Sequence, residues 1–263
     1  MPKYNDQTGN TIELKDKPRR IVSLVPSQSE LLWELGLKDE LVGITKFCIH
    51  PEEMYRNVRG VGGTKKLNIK MIEGLKPDLI IGNKEENDKE QIIELQKKFP
   101  VWMSDITDLD QANEMIRQLG QICGKEKEAK DILDSIKDSL SQCKNIFSAQ
   151  KVAYFIWYRP WMLAGGDTFI NSVLMHTGFS NLVENISRYP ELDDEQLREL
   201  QPAYCLLSSE PFPFKEKHIQ ELQRLLPESR IVLVNGEMFS WYGSRMQLMG
   251  NYMRQLKAEF GIL

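Results

Sequence analysis

The chain has 263 residues, 41% of them hydrophobic and 27% charged, with a formal net charge of −4. That balance is ordinary for a globular protein of one large domain or two small lobes. It lacks the basic stripe that nucleic-acid binding needs, and no apolar run approaches the ~18 residues of a membrane span.

The first element is a short apolar run, Ile21–Val25, ended by Pro26. The polar turn Ser27-Gln28-Ser29-Glu30 follows, then an amphipathic run, Glu30–Leu35, that stops at Gly36. This reads as strand, loop, helix and glycine stop. A helix N-terminus at the carboxyl end of a strand presents free N–H groups where ligands settle in open α/β sheets. Ser27 is therefore a candidate ligand contact.

Strands at Leu41–Thr45, Leu79–Ile81 and Val101–Met103 alternate with helices at Ile69–Leu75, Glu90–Lys98 and Leu109–Cys123. Such alternation predicts a parallel sheet with helices on both faces. The charged run Lys84–Glu90 reads as solvated helix surface. Phe47 and His50 fall just past a strand end, where a cleft-facing loop is expected.

From Gly124 to Gln150 the apolar residues Ala129, Ile132, Leu133, Ile136 and Leu140 recur at spacings of three and four. This predicts one amphipathic helix of about seven turns. The α/β pattern then restarts. Strands are expected at Val152–Trp157, Tyr204–Leu207 and Ile231–Val234, and helices at Phe169–His176, Asp194–Leu200, Lys215–Leu226 and Ser244–Phe260. The domains are thus an N-terminal α/β lobe over 1–123, a connecting helix over 124–150 and a C-terminal α/β lobe over 151–263.

No catalytic set emerges. The three histidines, His50, His176 and His218, sit in no HExxH or HxH spacing, and neither a GxSxG elbow nor a Walker A loop occurs. Cys48, Cys123, Cys143 and Cys205 have no metal-ligand spacing and read as free, packed thiols. No enzyme activity, cofactor or resident metal is called for.

Aromatic residues carry the stronger signal. Tyr154, Phe155, Trp157, Tyr158 and Trp161 crowd one strand and its outgoing loop. Glu237, Phe239 and Trp241 follow the strand Ile231–Val234, and Tyr189 precedes Pro190 on a third loop. Rings at such loops suit a large flat ligand, although strand alternation sends some of them into the core. Arg159 and Arg245 are the cationic candidates for an anionic ligand group.

The opening Arg20–Leu32, Val61-Gly62-Gly63, Ile72–Gly82, Ala164–Asn171, Gly178–Asn181, Asp193–Leu197 and Gly243-Ser244-Arg245 together carry a resemblance. In order and spacing they resemble the substrate-binding proteins of ABC importers for cobalamin, haem and ferric siderophores, most of all the cobalamin-binding member. The resemblance implies two Rossmann-like lobes with parallel sheets, joined by one long rigid α-helix. It implies a ferric siderophore, haem or corrinoid held between the lobes by a monomer, for delivery to an ABC permease.

It also implies a docking acid on each lobe. The C-terminal one falls on Glu195, whereas the N-terminal position is Lys70, with Glu73 one turn on as the substitute. A bulky aromatic that the cobalamin protein places before the helix Ile69–Leu75 corresponds to Thr64, a candidate ligand contact here. Met1–Gln7 shows no apolar signal core and no lipidation cysteine. The chain as given is therefore expected in the cytoplasm, with a periplasmic or extracytoplasmic location if it is trimmed. The competing function is a cytoplasmic enzyme or metallochaperone handling a corrinoid or tetrapyrrole on the same scaffold.

Overall fold

Two short strands, Lys3–Asn5 (β1) and Thr11–Glu13 (β2), pair as an antiparallel hairpin before the first buried element, Ile21–Ser23 (β3). The computed structural model describes residues 1–261, so Ile262 and Leu263 of the expected C-terminal lobe lie outside the described residues. The chain divides into two units. One comprises Met1–Ile106, Asp110–Ile136 and Tyr242–Arg245, and the other Thr107–Leu109, Lys137–Trp241 and the chain from Met246 onward.

In the first unit, β3 leads into the helix Pro26–Glu34 (α1) and the strand Leu41–Ile44 (β4). The helix Glu52–Asn57 (α2) and three two-residue strands follow, Arg59–Gly60 (β5), Gly62–Gly63 (β6) and Lys66–Leu67 (β7). Then come Ile69–Leu75 (α3), Leu79–Asn83 (β8), Lys89–Gln96 (α4), Val101–Ser104 (β9) and Leu109–Cys123 (α5). The sheet runs β5-β4-β3-β8-β9 with every pair parallel. β3, β8 and β9 are buried along their whole length, as strands covered on both faces are. The chain winds outward from β3 through β4 and returns to its other side at β8. The loops leaving β3 and β8 therefore diverge at a topological switch point, where such sheets place ligands.

The first helix begins at Pro26, four residues before the expected start at Glu30. Proline at the first helical position lacks only an N–H that would be unpaired anyway, and its φ suits the helix. The polar turn is thus the first turn of α1. Its residues are buried, which requires partners. Gln28 Nε2 donates to Ser104 Oγ at 2.6 Å, and Ser29 Oγ donates to Val25 O at 2.8 Å.

The amphipathic connector is the helix Glu126–Cys143 (α6), 18 residues long; its residues to Ile136 belong to the first unit and those from Lys137 to the second. It ends seven residues before the expected Gln150. Asn145, Ser148 and Ala149 all have φ between 49° and 59°, which a right-handed helix does not admit. Asn145 N donates instead to His176 O and Phe147 N to Thr177 O, both at 3.0 Å.

The second unit holds Gln150–Trp157 (β10), Trp161–Leu163 (β11), Phe169–Thr177 (α7), Phe179–Asn181 (β12) and Glu191–Leu192 (β13). It continues with Asp194–Leu200 (α8), Tyr204–Ser208 (β14), Glu216–Leu225 (α9), Arg230–Val234 (β15) and Glu237–Ser240 (α10). A 3-10 turn over Ser244–Leu248 then precedes the helix Met249–Glu259 (α11), where one helix was expected.

β12, β10, β14 and β15 run parallel, but β11 and β13 add an antiparallel edge to β10. That edge departs from the all-parallel expectation. Arg159, at φ 57°, turns the chain tightly enough for Trp161–Leu163 to pair back on β10. Phe155, Trp161, Leu163, Leu207 and Leu222 form the centre of this unit's core.

Candidate functional site

In the first unit the loops that follow β3 and β8 and the turn between β6 and β7 are tied by one side chain that the sequence reading missed. Asn87 Nδ2 reaches Leu24 O at 3.2 Å and Thr64 O at 3.1 Å, while its Oδ1 accepts from Asn83 N at 2.9 Å. Asn87 lies inside the run read as solvated surface, yet it is buried. Asn83 Oδ1 holds the next turn by accepting from Glu85 N and Glu86 N.

Of the predicted contacts here, Ser27 is buried in the first turn of α1, and Thr64 contributes its carbonyl to Asn87. Phe47 stands 49% exposed beyond β4, with Lys46 Nζ 4.9 Å from its ring centre. His50 is half-buried on the same loop. Cys48, between them, is fully buried, with its Sγ 3.1 Å from Ser29 Oγ and 3.2 Å from Thr45 Oγ1. Burial pushes its pKa up.

Arg245 joins the first unit rather than the second. Its Nε and Nη2 donate to the two oxygens of Glu30 at 2.9 and 2.7 Å, and both side chains are buried. The predicted ligand cation thus grips a carboxylate of this chain, one that lies 215 residues away in sequence. Tyr242, also in this unit, donates from its hydroxyl to Glu86 Oε1 at 3.1 Å.

In the second unit, Trp157, Tyr158 and Arg159 leave the carboxyl end of β10. Trp157 is 42% exposed and meets Phe212 edge-on at 5.7 Å. Tyr158 packs against Trp161, Phe212 and His218, and its hydroxyl donates to Glu221 Oε2 at 2.8 Å. Arg159 Nη2 donates to the other oxygen of Glu221 at 2.6 Å, and its Nη1 lies 3.5 Å from Asp194 Oδ1. Desolvation raises the Glu221 pKa, but the hydrogen bonds from Tyr158 and Arg159 outweigh it and hold the carboxyl below its ordinary value.

Trp161 is buried, its Nε1 donating to Asp194 Oδ1 at 2.8 Å. A surface cavity of about 580 Å³ opens beside it, lined by Arg159, Pro160, Leu192, Asp193, Asp194 and neighbours.

Beyond β15, Phe239 is fully buried against Tyr154 and Tyr252, and Glu237 is half-buried at the start of α10. Trp241 is also buried, and its Nε1 donates to Glu210 Oε1 at 2.8 Å. Tyr189 is half-buried with the Arg188 guanidinium 5.5 Å from its ring centre. The aromatics therefore sort by exposure. Phe47, Trp157, Tyr158 and Tyr189 reach the surface, whereas Trp161, Phe239 and Trp241 pack.

The carboxylates that organise these rings, Glu210 and Glu221, lie in ordinary charged or proline-rich stretches, and no local pattern marks them. Of the docking candidates, Glu195 is exposed in the first turn of α8, as is Lys70 in α3, while Glu73 is half-buried and paired with Lys98. The four cysteines are free and buried. No group of three His, Cys, Asp or Glu side chains able to hold a metal occurs among the described residues, nor a helix long and apolar enough to cross a membrane.

A parallel α/β unit with its loops gathered at a switch point, repeated as a second α/β unit, defines the binding-protein class. The chain belongs to the periplasmic binding protein family, which it matches over residues 21–258. It is 27% identical over 209 residues to an ABC transporter substrate-binding lipoprotein of Bacillus subtilis, covering 75% of this chain and 66% of that one. To a cobalamin-binding protein of Halobacterium salinarum it is 26% identical, over 72% of this chain and 54% of the relative. The match thus spans about two thirds of one of these relatives and about half of the other. The fold is that of the periplasmic vitamin B12-binding protein of Vibrio cholerae, with a TM-score of 0.77 at 22% identity over 94% of this chain and 99% of that one. Family membership gives no support to the enzyme or metallochaperone alternative.

Proposed function

We propose that this chain is the extracytoplasmic binding component of an ABC importer and carries a metal chelate, with a corrinoid first among the candidates and haem and ferric siderophores next. The observation that carries this reading is the exposure of aromatic rings on loops at the carboxyl ends of the sheets, Phe47 at 49% and Trp157 at 42%. Half-buried Tyr158 and Tyr189 stand with them. Large rings in water cost free energy that a flat apolar ligand recovers. The names of the relatives add weight, since they bind cobalamin or vitamin B12.

The location follows the relatives, one a lipoprotein and others periplasmic, in place of the cytoplasmic expectation. The protein acts as a monomer and does no chemistry on its cargo. Glu195, exposed at the start of α8, is the acid offered to a basic permease surface, and Glu73 is the second, shared with Lys98.

The test titrates the full chain with cyanocobalamin, hemin and a set of ferric hydroxamates and catecholates, following tryptophan fluorescence and equilibrium dialysis. Saturable binding of at least one at low micromolar concentration is expected. Absence of binding across the whole set overturns the reading.

A further inference from the structure

The segment Tyr242–Arg245 belongs to the first unit, although the residues on both sides of it, Trp241 and Met246, belong to the second. It is fastened by two polar locks, a part-buried bond from Tyr242 to Glu86 on the loop after β8 and a buried pair of Arg245 with Glu30 on α1. Gly243 runs between them at φ +112°, where an added Cβ would lie 3.3 Å from Ser27 O and 3.5 Å from Leu31 Cβ. The segment is therefore pressed against the first turns of α1. That helix in turn touches the loop after β4 through the Ser29 Oγ–Cys48 Sγ contact, and β9 through Gln28 and Ser104.

We infer that Tyr242–Arg245 is a clamp that sets the position of α1 and of the loops at the first unit's switch point, with Arg245 a positioning residue and not a ligand contact. The chemistry favours this over a purely stabilising role. A buried ion pair replaced by apolar residues of similar volume often leaves stability unchanged, whereas a bidentate fork fixes the relative geometry of its two partners. Residues contributed from the end of the chain would thereby shape the loops built at its beginning. The assignment does not need the ligand to be a chelate, because its first readout is a thiol of this chain.

Cys48 lies under α1, and Cys123 is buried elsewhere in the same unit. The full-length protein is pulsed with an alkylating reagent, and both cysteines are followed by peptide mass spectrometry. Global unfolding exposes both, so only local release of α1 raises the ratio of Cys48 to Cys123 labelling.

In the paired variant Glu30→Leu/Arg245→Met we expect wild-type thermal stability but a ratio raised about ten-fold or more, the mark of a local opening. Arg245→Lys, which keeps the charge and loses the fork, gives an intermediate rise and covers the case in which the paired variant does not fold. A wild-type ratio in Arg245→Lys together with a wild-type ratio in the folded paired variant overturns the clamp. So does a parallel rise of both cysteines. Where a chelate binds the wild type, its affinity falls with the rising ratio; where none binds, the labelling result stands alone.

Discussion

The Tyr158 hydroxyl donates to the Glu221 carboxylate at 2.8 Å, joining the loop after β10 to the middle of α9. Arg159 Nη2 takes the second oxygen, so a single carboxylate fixes two neighbouring residues of a candidate ligand loop. The charge on Glu221 is what makes both bonds strong.

The stability that this carboxylate contributes should therefore depend on pH. Its folded pKa lies below its ordinary value, so the folded state favours the ionised form. The contribution is full above the unfolded carboxyl value of about 4.3 and disappears as pH falls through the lower folded value. We expect Glu221→Gln to cost about 1 kcal/mol near neutrality, a figure discounted because the side chain is one-third exposed. Urea unfolding of both proteins at neutral pH and near pH 3 checks this. The gap between them should shrink at the acid end, and a gap that stays constant would show that the charge is not the cause.

The cysteines give a second expectation. Cys123 and Cys205 are pushed up to about 12 and Cys143 to about 11, each chiefly by burial. Cys48 is raised as well. Reactive thiolate is scarce at all four sites. The native protein should react slowly with an aromatic disulfide reagent up to mildly alkaline pH and release four thiols promptly in denaturant. One fast equivalent in the native state would place a cysteine at the surface.

The alternation of strands and helices was legible because buried parallel strands are short apolar runs, and Ile21–Ser23, Leu79–Asn83 and Tyr204–Ser208 all read that way. The antiparallel strand Trp161–Leu163 was not, because its pairing depends on the conformation of Arg159, which no composition rule reveals. The early end of α6 was hidden for the same reason, in the left-handed Asn145. At the candidate site, aromatic density was visible but ring exposure was not. Trp157 and Trp161 are four residues apart on one hairpin, and what separates their fates is the packing of Trp161 in the core beside Phe155, with its N–H on Asp194. Arg245 and Glu30 could not be paired from sequence at a separation of 215 residues.

Asn87 was hidden by its charged neighbours, although its side chain makes three bonds to backbone groups. Asn87→Ala would leave the Leu24 and Thr64 carbonyls and the Asn83 amide without their side-chain partner. Each such buried group costs about 1–3 kcal/mol when unpaired, and water entry offsets part of the sum. A loss of about 2–4 kcal/mol in urea unfolding is expected on that basis. Asn87→Asp keeps the acceptor for Asn83 N but loses both donors, and should fall between. A neutral Asn87→Ala would mean that the loops are held by other contacts.

The two indoles of the β10–β11 hairpin should separate binding from stability. Trp161 is 1% exposed, with Phe155 and Tyr158 edge-on to its ring and its N–H on Asp194. Trp161→Ala empties a core position and should cost about 3–5 kcal/mol, and Trp161→Phe, which loses mainly the hydrogen bond, about 1–2 kcal/mol. Trp157 is 42% exposed and meets the Phe212 ring edge-on. Trp157→Ala should leave the unfolding midpoint within about 0.5 kcal/mol of wild type, as for other surface sites. If its ring stacks on a chelate, the same substitution should weaken binding by about 1–2 kcal/mol, or roughly ten-fold. Thermal unfolding and ligand titration on the same preparations make the comparison. A Trp157→Ala protein that binds its chelate as tightly as wild type would remove this ring from the site, and the aromatic contact would then fall to Phe47, Tyr158 and Tyr189.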